Sequence, residues 1–335
     1  MAVVISCTDT NRRPRNEYCI ELGILNNMPD AALERTERQF FALVGAAAPD
    51  LLVRVHFFSL ATMERNGAGP RRPDHRGYAS ASAIADRGLD ALIITGTEPR
   101  ESDLKRELYW AELAQIFDWL RYEGPPTLFS CLAAHAAALH YDGIPRRRLA
   151  NKRFGLFEHV VARRDTLTRN LSSPFRVAHS RWNELEESDL AACGYRILTW
   201  SEEAGVELFV KRDRSDFLFC QGHPEYDGAT LAREYRRDVR RFLAGEADAY
   251  PQLPQNYFAP AEIVALEQFR ARAIFARSAT PMAAFPALAH RPEGRTNAAG
   301  AQILRAWLAG IVEKKRESSA APATAKKSAF ATAAA

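Results

Sequence analysis

Short apolar runs alternate with amphipathic stretches across residues 18–242, and this alternation is the strongest constraint on the fold. The runs IELGIL, LLVRVHFF, LDALIITG and TLFSC are predicted to be strands. Between them, residues 30–44 and 103–120 carry apolar side chains at helical spacing with charges between them. Strands that alternate with helices are typical of a mostly parallel sheet covered on both faces. The pattern therefore predicts an α/β protein, a three-layer sandwich with a mostly parallel central sheet.

The pattern changes in the second half of the chain. FGLFEHVVAR, YRILTWSEE, GVELFVKR and FLFCQGH are predicted to be antiparallel extensions or late strands of the sheet, and helices are predicted at residues 229–242, 259–272 and 298–315. Residues 64–76 are rich in Gly, Pro and Arg, which predicts a mobile loop.

These patterns divide the chain into four parts. We expect an N-terminal extension (1–17), an α/β domain (18–258), a helical extension packed on that domain (259–316) and a disordered, low-complexity tail (317–335).

The composition excludes several classes of protein. The 45 basic and 41 acidic residues give a formal charge of +4, and the arginines are dispersed, so we expect no nucleic-acid partner. The apolar run at the N-terminus is too short for a signal peptide or a membrane span, so we expect no membrane association.

The five cysteines are odd in number and form no CxxC pair. This predicts reduced thiols in the cytoplasm and no metal site.

A cysteine stands where a strand is predicted to pass directly into a helix. In TLFSCLAAHAAAL the apolar run ends at Cys131, and good helix formers follow. A thiol at a helix N-terminus has a lowered pKa, and the free backbone N–H groups there can bind an oxyanion, with Leu132 the first candidate donor. Taken alone, however, the segment fits a buried structural cysteine better than a nucleophile, because free cysteine is among the most buried residue types.

A second segment, FLFCQGHPEYD, supplies the partners that a nucleophilic cysteine needs. A predicted strand runs into Gly222, and His223 and Glu225 follow, separated by a proline. A thiol nucleophile requires an imidazole base, and the imidazole requires a group that fixes its tautomer. We therefore predict that Cys131, His223 and Glu225 form a catalytic triad.

The two segments and the motifs around them resemble the homoserine O-acyltransferases, a branch of the class I glutamine-amidotransferase-like proteins. The matching stretches run in order from LGILNNMPD and LDALIITG through TLFSC, HAAALHYDGIP, FGLFEH, AHSR, SEEAGVELF and GHPEYDGATLAREYRRD to NYF. GHPEYD and AHSR together are specific for this branch.

The resemblance implies a ping-pong acyl transfer in methionine biosynthesis, with no cofactor. Cys131 would take the acyl group from acyl-CoA and pass it to the hydroxyl of L-homoserine. His223 would take the proton from the attacking thiol and later from the hydroxyl, and Glu225 would orient the imidazole of His223. The Leu132 amide would bind the oxyanion. The resemblance also implies a homodimer.

Further site residues are carried over from the aligned motifs. Lys152, in ANKRFGLFEH, would help to bind the amino acid, Ser180 in AHSR would influence its choice, and Arg237 in EYRRD would bind its carboxylate. His179, beside Ser180, and His159 are further candidates for the pocket wall.

The chain departs from the family pattern in three places. The loop after the first predicted strand is longer and has Asp30 where the family usually has Lys, and Leu132 stands where the family often has Trp. The position that selects the acyl donor aligns best with Arg100, where succinyl-CoA users tend to have Gly and acetyl-CoA users Glu. Arg100 could pair with the free carboxylate of a succinyl group, which favours succinyl over acetyl.

Three alternatives stay open at this point. One is a glutaminase subunit of an amidotransferase, which would use the same triad to release ammonia. Another is an acyltransferase that acts on serine or a related hydroxy amino acid, and the third is a binding protein that has lost catalysis. The presence of Cys131, His223 and Glu225 together argues against the last.

Overall fold

The computed structural model describes residues 3–6, 19–63, 78–212, 215–289, 291 and 298–320. The predicted loop at 64–76 and the predicted tail beyond residue 320 lie outside the described residues.

The described part of the chain contains thirteen strands and seven α-helices. The strands are β1 (Val3–Ser6), β2 (Cys19–Leu25), β3 (Leu52–Ser59), β4 (Ala79–Ser80), β5 (Ala91–Ile94), β6 (Thr127–Ser130), β7 (Arg147–Val161), β8 (Phe175–Glu184), β9 (Arg196–Ile197), β10 (Thr199–Ser201), β11 (Gly205–Val206), β12 (Leu208–Arg212) and β13 (Asp216–Cys220). The helices are α1 (Asp30–Ala47), α2 (Trp110–Tyr122), α3 (Leu132–Asp142), α4 (Glu187–Ala192), α5 (Thr230–Leu243), α6 (Pro260–Phe275) and α7 (Ala298–Ala320).

The central sheet is mostly parallel, as predicted. Its nine strands follow the order β1-β3-β2-β5-β6-β13-β12-β9, with β4 paired to β3. All pairs from β1 to β13 along this path are parallel, whereas β12 and β9 close one edge in antiparallel fashion. Parallel strands present their carboxyl ends at one edge of a sheet, which is where ligand sites form in open α/β folds.

Helices cover both faces of this sheet, which confirms the three-layer arrangement. On one face α2 and α3 bury the aromatic side chains of β6 and β13, including Phe129 and Phe219. On the other face α1 and α7 pack side by side over the strands through residues such as Phe40 and Trp307. A third cluster joins α5 and α6 around Tyr235. None of the helices in the described ranges is long and apolar enough to cross a membrane.

A second, antiparallel sheet stands beside the main one, in the order β11-β10-β7-β8. The sequence predicted antiparallel strands here without assigning them to a separate sheet. The run GVELFVKR divides between the two sheets as β11 and β12, and FLFC joins the main sheet as β13. The backbone of β8 reaches the site, because Ala178 O accepts a hydrogen bond from His223 N at 2.9 Å.

Three predicted boundaries require correction. The extension at residues 1–17 contributes β1, whose short apolar run adds a strand to the sheet edge at β3. The helix predicted at 103–120 begins at Trp110, after a separate 3-10 turn at Leu104–Arg106. Finally, α7 continues to Ala320, so residues 317–320 of the predicted tail are helical, since charged residues favourable to helices carry it past residue 316.

Truncation of Trp307 tests how much α7 contributes to the fold. Trp307 is 6% exposed between α7 and the sheet, so Trp307→Ala should lower the free energy of unfolding by about 3–5 kcal/mol. Phe275→Ala is the control. Phe275, at the end of α6, is 93% exposed, so its truncation should change the free energy of unfolding by less than about 0.5 kcal/mol. Urea unfolding of both variants measures the difference, and equal effects would contradict this packing.

Candidate active site

Cys131 occupies a strained turn between β6 and α3. Its backbone has φ 52° and ψ −114°, a conformation that costs a non-glycine residue about 1–3 kcal/mol. The turn is held by a hydrogen bond from Cys131 N to Cys220 O at 2.8 Å, which continues the parallel pairing of β6 with β13. Such strain persists only where the surroundings enforce it, and a sharp strand-to-helix turn with a nucleophile at its apex is a known catalytic device.

The loop after β13 brings His223 and Glu225 to the same edge of the sheet. The imidazole Nδ1 of His223 lies 2.8 Å from Glu225 Oε1. The other carboxylate oxygen, Glu225 Oε2, is buried and has no hydrogen-bond partner among the described residues. The carboxylate therefore acts on His223 and fixes the Nδ1–H tautomer, which leaves Nε2 for the substrate side of the ring.

The electrostatics of His223 favour its protonated form. Burial alone would lower the pKa of the imidazole, but the negative charges of Cys131 and Glu225, with a side-chain hydrogen bond to each, raise it well above its usual value. The structure therefore brings the three predicted residues into one interacting group in the order Cys131, His223, Glu225. This arrangement can hold a thiolate next to an imidazolium.

The amide of Leu132 stands at the first position of α3, where N–H groups have no acceptor within the helix. The loop after β5 passes close to it. A Cβ placed on Gly96 would lie 3.0 Å from Leu132 N and 3.3 Å from Ser130 O, so a side chain there would require the neighbouring backbone to shift by a few tenths of an ångström. A glycine backbone beside a helix N-terminus leaves room for a carbonyl oxygen at the Leu132 amide.

A buried carboxylate fixes the residue before His223. Glu207 Oε2 accepts a hydrogen bond from Gly222 N at 2.6 Å. A Cβ at Gly222 would lie 2.8 Å from Ala178 O and 2.9 Å from this same Glu207 oxygen, so only glycine fits. Burial raises the pKa of Glu207 to about 7, although the Gly222 N–H and the charge of Arg181 lower it.

His159 and His179 lie in this buried layer, and the expectation that they line the pocket is wrong, because both are 0% exposed. Their ligand atoms and those of Glu207 lie within 4.8 Å of one another, a spacing that a metal ion could bridge. However, Arg181 Nε donates to His179 Nδ1 at 3.2 Å, so neutral His179 carries its proton on Nε2, the atom that faces His159 and Glu207. We therefore describe this group as a hydrogen-bond network and propose no metal in it.

The three predicted substrate residues converge on two carboxylates of α5. Ser180 Oγ donates to Glu234 Oε2 at 2.6 Å, and Lys152 Nζ lies 3.8 Å from the same oxygen. Lys152 Nζ is also 3.6 Å from Asp238 Oδ2, while Arg237 Nε donates to Asp238 Oδ1 at 2.8 Å. The result is a group of two cations and two anions, which is complementary to the carboxylate and ammonium of an amino acid.

Tyr226 connects this group to the triad. Its ring stacks on His223 with the centroids 4.0 Å apart, and its hydroxyl donates to Glu234. Burial would raise the pKa of Glu234, but Lys152, Ser180 and Tyr226 hold it below its usual range, so Glu234 is ionised.

The sequence reasoning did not select Tyr226, Glu234, Asp238 or Glu207. Two signals could have found them: Tyr226 follows Glu225 directly, and the i, i+4 spacing of Glu234 and Asp238 puts both on one face of a helix. Glu207 gave no comparable signal.

Arg100 differs from these groups in its exposure to solvent. It is exposed in the loop that follows β5, and its backbone N donates to Glu107 Oε1 at 2.6 Å. The loop leaves the sheet at the carboxyl edge, which is the edge that carries Cys131. The assignment of Arg100 to donor selection stays a prediction.

The protein has a class I glutamine-amidotransferase-like fold with a Cys–His–Glu group at the carboxyl edge of its main sheet. A solved structure from Thermoplasma acidophilum, described as that of a candidate GMP synthase subunit, shares the fold with a TM-score of 0.51, at 14% identity, over 91% of this chain and 99% of the other. The chain belongs to the homoserine O-succinyltransferase family, whose model matches residues 3–309.

Individual relatives agree with this assignment. The homoserine O-succinyltransferase of Methylorubrum extorquens is 46% identical over 300 residues, which is 88% of each chain. That of Rhodopseudomonas palustris is 45% identical over 298 residues, covering 88% of this chain and 89% of the relative. The resemblance inferred from the motifs is thereby confirmed.

Replacement of Glu225 tests the electrostatic coupling within the triad. The carboxylate favours the His223 imidazolium, and the imidazolium favours the Cys131 thiolate. Glu225→Gln should therefore slow alkylation of Cys131 by iodoacetamide at pH 7 roughly tenfold, because the imidazolium that activates the thiol loses its carboxylate partner. Peptide mass spectrometry of Cys131 over time measures the rate. Glu203→Gln, at an exposed turn, is the control, and a wild-type rate in Glu225→Gln would contradict the coupling.

Proposed function

We propose that the chain is a homoserine O-acyltransferase that moves a succinyl group from succinyl-CoA to the hydroxyl of L-homoserine. The observation that carries the proposal is a nucleophile turn with an adjacent His–Glu pair in a chain whose family model spans residues 3–309. We further propose that the enzyme needs no cofactor, works in the cytoplasm and is a homodimer. The described cysteines are free thiols, which fits a reducing compartment.

In the first half-reaction the Cys131 thiolate attacks the thioester carbonyl of the donor. The carbonyl oxygen gains negative charge beside the Leu132 amide at the start of α3, where the helix dipole and the N–H group stabilise it. As the tetrahedral intermediate collapses, the bond to CoA breaks, and the His223 imidazolium gives its proton to the departing thiolate. The products are free CoA and an acyl thioester on Cys131.

In the second half-reaction the neutral His223 acts as the base. It takes the proton of the homoserine hydroxyl while the oxygen attacks the acyl thioester, and the Cys131 thiolate leaves. Glu225 stabilises the imidazolium that forms, so the starting state is restored. A raised imidazole pKa suits the start of this cycle, because the imidazolium must stand beside the Cys131 thiolate before the donor reacts.

The acceptor fits the charged group on α5. Glu234 is ionised and offers a partner for the ammonium of the amino acid, and Lys152 and Arg237 offer partners for its carboxylate. Ser180 sets the position of Glu234 by its hydrogen bond. Because Tyr226 joins Glu234 to the face of His223, the acceptor would lie next to the base.

The proposed donor is succinyl-CoA rather than acetyl-CoA. Arg100 is exposed at the carboxyl edge of the sheet and carries a positive charge that could pair with the distal carboxylate of a succinyl group. An acetyl group has no such carboxylate.

The reaction with a donor alone tests both the chemistry and the choice of donor. Intact-mass spectrometry after addition of succinyl-CoA should show an adduct of about 100 Da, against about 42 Da for an acetyl group, because a covalent acyl-enzyme forms before the acceptor binds. Addition of L-homoserine should remove the adduct, and Cys131→Ala should form none. A preferred acetyl adduct would contradict the donor. Release of glutamate from glutamine without CoA release from either donor would identify a glutaminase instead.

Replacement of Glu234 tests the acceptor site separately. Glu234→Gln should raise the KM for L-homoserine about tenfold, the loss expected for one charge-assisted hydrogen bond, while the rate of adduct formation from succinyl-CoA stays within about twofold. Glu246→Gln, exposed just beyond α5, is the control. The same kinetics with L-serine measure the choice of acceptor. An unchanged KM in Glu234→Gln would remove Glu234 from the acceptor site.

A further inference from the structure

Helix α7 contacts the loop that carries His223 and Glu225 at Gly300. A Cβ placed on Gly300 would lie 2.6 Å from Pro224 O, 3.0 Å from Pro224 Cβ and 3.1 Å from Pro224 Cα. Distances this short to a backbone oxygen are not tolerated, so an alanine would push the two segments apart by several tenths of an ångström. The helix and the loop are therefore in direct backbone contact, and Pro224 stands between His223 and Glu225.

Beyond Gly300, α7 is held in place by contacts with the sheet and with α1. Its apolar face packs on the sheet and on α1 through Leu304, Trp307 and Leu308. Arg305 Nε donates to Ala47 O at 3.0 Å, at the C-terminal end of α1.

The far end of α7 is tied to the opposite edge of the sheet. Lys315 Nζ donates to Cys19 O at 2.9 Å and to Asp90 Oδ2 at 2.6 Å, where β2 and β5 begin. From Gly300 to Lys315 an α-helix extends for about 22 Å. The helix thus spans the sheet from the amino ends of the strands to the catalytic edge, and its start cannot move away from Pro224 without disturbing these contacts.

We infer that α7 positions the catalytic pair, with Gly300 as the positioning residue that sets the place of Pro224 and hence of His223 and Glu225. The contact acts on the backbone between the base and its carboxylate, so a shift of Pro224 alters their geometry relative to Cys131. A displacement of this size near reacting groups costs far more in rate than in binding. The inference rests on the proposed roles of His223 and Glu225.

The chain offers a matched control in the same helix. A Cβ on Gly310 meets no atom of the described residues within 4 Å. Gly300→Ala and Gly310→Ala are the same chemical change and raise helix propensity equally. They differ in what the new methyl group meets.

The experiment compares the two variants in the full-length protein. Gly300→Ala should slow formation of the acyl adduct from succinyl-CoA by roughly 10- to 100-fold, with the KM for the donor within about twofold, because the defect is in alignment. The pH profile of Cys131 alkylation by iodoacetamide should differ from that of the wild-type protein, because the thiol loses its aligned imidazole partner. Gly310→Ala should behave as wild type in both assays. Wild-type kinetics and a wild-type alkylation profile in Gly300→Ala, or equal losses in both variants, would overturn the inference.

Failure of this inference can be distinguished from failure of the proposed function and from misfolding of the variant. Alkylation needs no donor, so it still tests the positioning of His223 if the wild-type protein forms no acyl adduct and the proposed function fails. If Gly300→Ala does not fold, hydrogen exchange of the wild-type protein decides. Peptides covering residues 299–306 and 221–228 should be protected to a similar degree, whereas exchange of the first about 100-fold faster than the second would show that α7 does not hold the loop.

Discussion

The parallel pairing of β6 with β13 is the constraint on which the site depends. These strands are far apart in sequence, yet their register matches Ser130 with Cys220. The next amide along, Cys131 N, still bonds to Cys220 O, so the ladder continues into the turn that carries the Cys131 thiol. Because both strands point the same way, the residues that leave them emerge side by side. The thiol and the imidazole are therefore brought together by the strand pairing itself. What the rest of the fold must determine is the conformation of the two turns that follow β6 and β13.

The second turn is held by backbone contacts from three directions. Glu207 bonds to the amide of Gly222, Ala178 O accepts from the amide of His223, and Gly300 lies against Pro224. Each contact acts on a different residue of the loop, and two of them require a glycine because a Cβ would occupy the contact. The contacts from Ala178 and Gly300 are made by main-chain atoms and leave less freedom than side-chain contacts, since no rotamer change can relieve them. The rigidity suits the proposed role of His223, which has to serve two half-reactions from one position.

The sequence predicted local features well and contacts between distant segments poorly. Hydrophobic patterning gave the order of strands and helices, and the junctions at Cys131 and His223 were visible because each is a strand followed at once by a change of pattern. Lys152, Ser180 and Arg237 had no local signal and came only from the family resemblance. Glu207 and Gly300 were not found at all. A buried glutamate in a strand and a glycine in a helix have no distinctive spacing, and their importance arises from contacts made only in the folded chain.

Glu225 and Glu207, the two carboxylates near His223, make different contacts because their environments differ. Glu225 pairs with Nδ1 of the imidazole at 2.8 Å, so its charge is compensated directly by the ring. Glu207 receives a backbone N–H and lies beside the ring of His179, which is held neutral. Two negative charges close together in a buried site repel each other, and the charge of Glu225 accordingly contributes to the rise in the pKa of Glu207 to about 7, which burial dominates. Glu225 therefore contacts the imidazole directly, whereas Glu207 behind it holds the loop by a hydrogen bond that its carboxyl group accepts in either protonation state.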